Sequence, residues 1–430
     1  MYGNLTVRTR VRETSGDAMN MKQSVIAGIL FVGLSVGVAG QNRGVDYTQW
    51  RGPNRDGGAA AFTPPASWPE KLTQKWKVEI GTGYATPLLV GNRLYLFSRQ
   101  GDDEVMSALD PATGKVIWRT AYPIAVTLHP AATKHGPGPK STPVFADGKL
   151  FALGFAGTVT AYDANTGKQL WQKPGTLPAI FFNSHAFSPI VDRGLVIFHV
   201  GGHMQGALTA FDVNTGAVKW SWTGDGPGYG SPVIATLDGT RQLVTITQGK
   251  LVSVDPATGT LLWERPYVSS NFTNAVTPIV YGQTLIVSGN GGPTTAFTVK
   301  KVNNQWEVAS AWENADIPYR LSNSVVLGDA LFGLTSRNMG QYFSVDPKTG
   351  KTLWTSDPRQ AGNAAIVYAG DLAFSLEDTG ELKVFRHSAT SFEMVKRYTV
   401  ADSETWTQPT LSGNRIFVKD VSNLTLWTTN

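Results

Sequence analysis

The chain has 430 residues, 41% of them hydrophobic and 16% charged, with 46 Gly, 24 Pro, 13 Trp and 13 Tyr. That excess of turn formers and large aromatics favours many short strands over long helices. Its formal charge is +5, to which residues 1–40 contribute Arg8, Arg10, Arg12 and Lys22 against Glu13 and Asp17; taking away those four basic and two acidic residues leaves +3 with no basic cluster, which excludes a surface that tracks nucleic-acid phosphates. The absence of cysteine excludes disulfides, thiolate metal sites, cysteine nucleophiles and a lipidated N-terminal cysteine.

In chain order, the first element is a leader. Met21 and Lys22 precede the apolar run SVIAGILFVGLSVGVAG, which ends in the small residues Val38 and Gly40, the layout of a secretory signal peptide, with translation expected to start at Met19 or Met21. At seventeen residues the run is at the short limit of a membrane span, which needs about 20, so an uncleaved anchor is the alternative to a cleaved signal. Residues 1–40 are therefore read as an extension plus signal, and the mature chain as exported, periplasmic or secreted, without a membrane span. Residues 41–70, with WRGPNRDGG and TPPASWP, are rich in turn formers and are expected to form an irregular arm over one face.

From residue 71 a repeat takes over. One phrase recurs as DPATGKVIW, DANTGKQLW, DVNTGAVKW, DPATGTLLW and DPKTGKTLW, and its closing Trp falls at Trp118, Trp171, Trp220, Trp263 and Trp354. Looser copies end at Trp76, Trp312 and Tyr398, making eight. A second marker, a hydroxyl followed by Pro and an apolar pair, recurs at Thr86, Thr142, Ser188, Ser231 and Thr277, with looser versions at Asn323, Ala364 and Gln408. Each marker is followed by a Gly- or Asp-containing turn and a second apolar run, the grammar of a hairpin.

The unit reads as strand, tight turn, strand, loop, strand, TG turn and strand. Eight such units predict an all-β, eight-bladed β-propeller of four-stranded antiparallel blades over 71–430. The last unit lacks a fourth strand while the strand around Trp76 is spare, so that N-terminal strand is expected to close the last blade. The phrase itself is assigned a structural role. Asp110, Asp163, Asp212, Asp255 and Asp346 accept hydrogen bonds from their own turns, Gly114, Gly167, Gly216, Gly259 and Gly350 take positive φ, and the Trp residues cover the junction with the neighbouring blade.

Residues just upstream of each marker should ring one mouth of the channel: Tyr84, Lys140, His185, Tyr229, Asn274, Arg320, Asn363 and Trp406. His135 and the glycines of GDGPGYG lie nearby. Aromatic faces with Lys140 and Arg320 suit a planar anion, an anionic aromatic ligand above all, or an extended peptide; they equally suit ordinary wet entry loops. The ring contains no Asp or Glu. Asp225, Asp316 and Glu404 are the only carboxylates nearby, and no metal site is assigned. His199 and His203 fall on a strand running into a Gly turn, the wrong geometry for a zinc helix pair, and no nucleophile elbow, phosphate loop or dinucleotide fingerprint is present.

The repeat A-x-D-x-x-T-G-x-x-x-W, with WRGPNRDG at Trp50 to Gly57, resembles the pyrroloquinoline quinone (PQQ)-like propeller repeat shared by quinoprotein alcohol dehydrogenases and BamB-like proteins, over about residues 70–430. The resemblance implies one of two roles. The first is a non-catalytic binding or scaffold module with protein partners in the cell envelope; the missing cysteines and missing metal ligands favour it. The second is a PQQ-binding oxidoreductase of alcohols or sugars, with PQQ and calcium at the Tyr84 to Trp406 mouth. Neither role involves nucleic acid, and the chain is expected to be a monomer.

Overall fold

The computed structural model describes residues 46–175, 185–388 and 390–430; the leader falls outside them. Eight four-stranded antiparallel sheets follow one another along the chain. The first blade is Leu88–Val90, Arg93–Gln100, Asp103–Leu109 and Val116–Pro123, and the next six repeat that plan. The eighth takes three strands from the C-terminus, Thr410–Ser412, Arg415–Lys419 and Asn423–Thr428, and its outermost strand, Thr73–Glu79, from the N-terminus. Val78 pairs with Leu424 and Trp76 with Leu426, so the ring is closed by hydrogen bonds between the two ends of the propeller.

Burial follows position in the blade. The second strand of the first blade is buried along nearly its whole length, because both of its faces are covered by neighbouring blades. The outermost strand alternates exposed and half-buried residues, because only one face meets a neighbour. The repeat's small residue has a matching cause. Ala108, Ala161, Ala210, Ser253, Ala296 and Ser344 stand directly opposite Trp118, Trp171, Trp220, Trp263, Trp312 and Trp354, and a bulge follows each pair. A larger side chain there would compete with the indole for the same side of the sheet.

The indoles reach across blades. Trp76 Nε1 donates to the Pro111 carbonyl, Trp118 to Ala164, Trp171 to Val213, Trp220 to Pro256 and Trp312 to Pro347, in every case the residue after the Asp of the next blade's TG turn. Gly216 shows why the turn carries glycine: its φ is 65°, and a Cβ there would lie 2.7 Å from Trp171 Cδ2. Trp263 departs from the pattern. The blade after it has Asn303 and Asn304 in place of a TG turn, and Trp263 Nε1 donates instead to Gln242 Oε1 of its own blade.

The hydroxyl markers form a second fastening, around the channel. The Thr86 amide donates to Thr142 Oγ1, Thr142 to Ser188 Oγ, Ser188 to Ser231 Oγ and Thr277 to Asn323 Oδ1, while the Gln408 amide donates to Thr86 Oγ1. Where Ala364 has no hydroxyl, its amide donates to Ser322 Oγ of the preceding blade, and Ser322 Oγ donates to Asn363 Oδ1. These marker residues are buried, so each hydroxyl or amide side chain satisfies a backbone donor that water cannot reach.

The arm does not lie over a face. Asp46 accepts from the Gly91 amide at the hairpin end of the first blade, and the chain then runs up the channel, with Tyr47 pairing with Leu89 and Thr48 accepting from the Phe145 amide. It turns at Pro53 and Asn54 and descends, with Gly58 bridging to Tyr368 and Phe62 to Gly413. Glycine is required at Gly52, where φ is 79° and a Cβ would meet the Gly58 carbonyl oxygen across the arm's own hairpin.

Candidate functional site

At the mouth opposite the TG turns, the residues that sequence reasoning nominated do not form one ring: some come together at the surface and others are buried beneath it. Tyr84, Lys140 and Trp406 come together with His135. Tyr84 Oη lies 3.2 Å from His135 Nδ1, the His135 and Trp406 rings are 4.9 Å apart edge to face, and the Tyr84 and Trp406 rings are 5.9 Å apart. Lys140 Nζ sits 4.7 Å over the Tyr84 ring and 5.6 Å over Phe155, and donates to the carbonyls of His135 and Gly136. Burial drives its pKa down to about 8 and pushes the Tyr84 phenol up to about 12. Glu404 closes the cluster, bound by Lys134 at 3.0 Å and by Trp406 Nε1 at 3.1 Å, and the Lys134 bond holds its pKa low.

His185 and Asn274 are not mouth residues. His185 is buried, with Nδ1 3.0 Å from the Phe155 carbonyl and Nε2 3.0 Å from that of Gly201. Asn274 Nδ2 donates to the carbonyls of Thr247, Gln248 and Tyr267. Both tie loops together from below the surface, because the strand entry is covered by the loop of the preceding blade. Tyr229 is half-buried, and its amide donates to the Asn274 carbonyl. Arg320 and Asn363 stand across the ring and line a separate small pocket with Ser322, Thr335 and Ser336.

The nominated carboxylates divide similarly. Asp225 is buried and accepts from Thr247 Oγ1 at 2.5 Å and from the amides of Gly249 and Gly226 at 2.8 Å, which satisfies it as a loop brace. Asp316 is exposed. Among the described residues no group of three or more His, Cys, Asp or Glu side chains is placed to hold a metal ion. The mouth offers aromatic faces and a cation suited to a planar anion, without the carboxylate set that would hold a calcium ion beside it. The residues present therefore fit the aromatic half of a quinone site and not its metal half. His199 is buried and donates from Nε2 to the Asp225 carbonyl.

Sequence reasoning missed the most unusual charges in the molecule. Arg51 and Arg55 of WRGPNRDG lie inside the channel, 1% and 4% exposed. Arg51 donates to the carbonyls of Arg55, Asp56 and Ser324, and Arg55 to those of Ser188 and Pro189 and to Gln49 Oε1. Burial, and secondarily the Arg51 charge, takes Arg55 down to about 9. With Trp50 bonded to Thr277, Tyr47 to Gln408 and Asp56 to Tyr368, the arm is held by residues of seven blades. A cue was available: two arginines in a Gly- and Pro-punctuated arm can be ordered only by acceptors from elsewhere in the fold. Two buried glutamates were also missed. Glu104 accepts from the Phe155 amide at 2.6 Å and from Tyr122 Oη at 2.5 Å, and Glu377 lies 2.6 Å from both Lys383 Nζ and Tyr342 Oη. Burial raises the pKa of each.

The sequence profile of the family described as outer membrane protein assembly factor BamB matches residues 101–337. BamB of Burkholderia pseudomallei (strain K96243) is 26% identical over 341 residues, covering 70% of this chain and 86% of that protein. Polyvinylalcohol dehydrogenase of Sphingopyxis sp. (strain 113P3) is 26% identical over 293 residues, covering 66% of this chain but only 38% of the dehydrogenase. Among solved structures, BamB from Moraxella catarrhalis superposes with a TM-score of 0.59 at 19% identity, covering 83% of this chain and 99% of that one. The quinohemoprotein alcohol dehydrogenase from Comamonas testosteroni gives 0.66 at 14% identity, covering 91% and 81%. At such identities these likenesses concern the fold alone. The profile match, by contrast, covers more than half of the sequence, and the chain belongs to the PQQ-like propeller family of outer membrane protein assembly factor BamB.

Proposed function

We propose that this protein is an exported, non-catalytic propeller that binds protein partners in the cell envelope. The observation that carries this reading is the state of the channel and its mouth. The arm runs through the axis, and two of the nominated loop carboxylates are engaged by the protein itself, Glu404 by Lys134 and Trp406 and Asp225 by three donors. A dehydrogenase needs a base in reach of its substrate, and a quinone's calcium needs hard oxygen ligands. The leader-like N-terminus and the family membership support an envelope location.

One observation favours a second reading, a PQQ-binding oxidoreductase: Lys140 stacked over Tyr84 beside Trp406 offers a half-buried cation and two aromatic faces to a planar anion. A single titration separates the two. PQQ is added to the purified chain from residue 41 onward, with and without calcium, and followed by calorimetry and tryptophan quenching. Under the envelope-binding reading there is no saturable heat and no calcium dependence, and the chain co-purifies with the β-barrel assembly machinery of its host. Saturable PQQ binding at micromolar or tighter, strengthened by calcium and lost in Lys140→Ala, with dye reduction on adding an alcohol, would reverse the assignment.

A further inference from the structure

Other buried cations of this propeller are accounted for. Lys383 sits 2.6 Å from Glu377, and Lys419 donates to the carbonyls of Asp420 and Val421. Arg51 and Arg55 differ in being a like-charged pair: Arg51 lowers the pKa of Arg55, and no carboxylate is bonded to either guanidinium among the described residues, their partners being carbonyl oxygens and one side-chain amide. Arg51 Nη1 and Arg55 Nε are buried and have no hydrogen-bond partner among the described residues. Two like charges buried side by side destabilise each other unless an anion compensates them.

Beside these arginines the arm leaves part of the channel unfilled. A cavity of about 510 Å³ is walled on one side by Arg51, Asn54, Arg55 and Asp56, and on the other by inner-strand residues of the fourth to sixth blades, chiefly Val233, Ile234, Ile279, Val280 and Val326. Gly328, an exposed hairpin residue of the sixth blade, and Tyr368 complete the lining, so the cavity reaches the TG-turn end of the propeller, away from the aromatic mouth. Its volume lies within the roughly 300–1,000 Å³ of small-molecule sites. The wall carries two cations and one anion, Asp56, which already accepts from the Gly58 amide and Tyr368 Oη. The uncompensated charge is therefore one positive unit facing an aliphatic surface.

We propose that this cavity binds a small monocarboxylate with an apolar body, the head against the Arg51, Asn54 and Arg55 wall and the body along Val233, Ile234, Ile279, Val280 and Val326. Both guanidinium groups already spend their forks on protein oxygens, so the head group would be held by their net charge and by the exposed Asn54 amide, and the single net charge selects one head group rather than a polyanion. The site is separate from the mouth and independent of whether the protein binds envelope partners.

Calorimetry with sodium octanoate on the full chain tests it, with n-octanol as the uncharged probe of equal chain length. Octanoate should bind saturably, one per chain, at least about tenfold tighter than octanol. Val280→Asp places a second carboxylate in the wall at a position already 38% exposed, and should weaken octanoate at least about tenfold with the melting temperature unchanged. Arg55→Met should do the same if it folds; Val280→Asp decides the matter if it does not. Equal affinity for the two probes, no octanoate binding up to about 1 mM, or an unaltered affinity in folded Val280→Asp overturns the proposal.

Discussion

At the scale of single residues the repeat consists of mutual fits. Trp171 lies over Gly216 of the next blade and donates to Val213, so the glycine is constrained both by its positive φ and by the ring that occupies the place of a side chain. Gly216→Ala should therefore destabilise by about 2 kcal/mol or more, combining left-handed strain with overpacking. Gly194→Ala, at φ 81° with nothing within 4 Å of its Cβ position, should cost only about 1 kcal/mol. Chemical denaturation of the two variants side by side isolates the contribution of the indole. Trp263→Ala should cost about 3–5 kcal/mol, as for other buried aromatics, and would leave Gln242 Oε1 short of one donor. An unchanged melting temperature would refute a fastening role for that tryptophan.

At the scale of elements, the loops between blades carry titratable groups that strand patterning does not explain. Lys140, on the loop entering the second blade, has its pKa lowered by burial to about 8, against about 10.4 in an unfolded chain. Between those values the unfolded chain binds more protons than the folded one, so stability should rise as pH increases from 8 towards 9.5. Lys419 has the same sign and contributes in the same window. Lys140→Met should remove part of that rise, a difference read from urea midpoints at pH 7.5 and 9.5. Glu104 shifts the other way for a carboxylate, its pKa raised by burial, so the folded chain holds its proton longer and stability should fall as pH rises above the usual carboxylate range. Glu104→Gln should flatten that limb, at the expense of one charge-assisted bond from Phe155.

At the scale of the whole molecule, two devices turn eight similar blades into one body: the closing strand Thr73–Glu79, hydrogen-bonded to Asn423–Thr428, and the arm that spans the channel. Deleting residues 46–79 would leave the eighth blade with three strands and the inner strands facing an empty axis. The intact ring should unfold in a single calorimetric transition and the deleted chain in more than one, because an unclosed ring of blades retains only nearest-neighbour contacts. Deleting only residues 46–62 should lower the melting temperature while leaving the transition single. A fold insensitive to either deletion would mean that the arm contributes nothing to closure.

The sequence by itself determined the blade count, the four-strand plan, the closing strand and the residues of the blade junctions. Those features rest on local turn chemistry and on a period written eight times, both of which survive without knowledge of distant contacts. It also placed Tyr84, Lys140 and Trp406 at one mouth, because each follows from the same offset to the hydroxyl marker. Only the tertiary structure decided that His185 and Asn274 brace loops from beneath, that the marker hydroxyls bond from blade to blade around the channel, and that the arm enters the axis. Each depends on which backbone donors and acceptors the closed ring leaves unsatisfied. An arginine such as Arg51 or Arg55 reads as solvent-seeking in sequence; it becomes a channel residue only because Ser324, Ser188 and Pro189, more than a hundred positions away, present carbonyl oxygens that no strand partner uses.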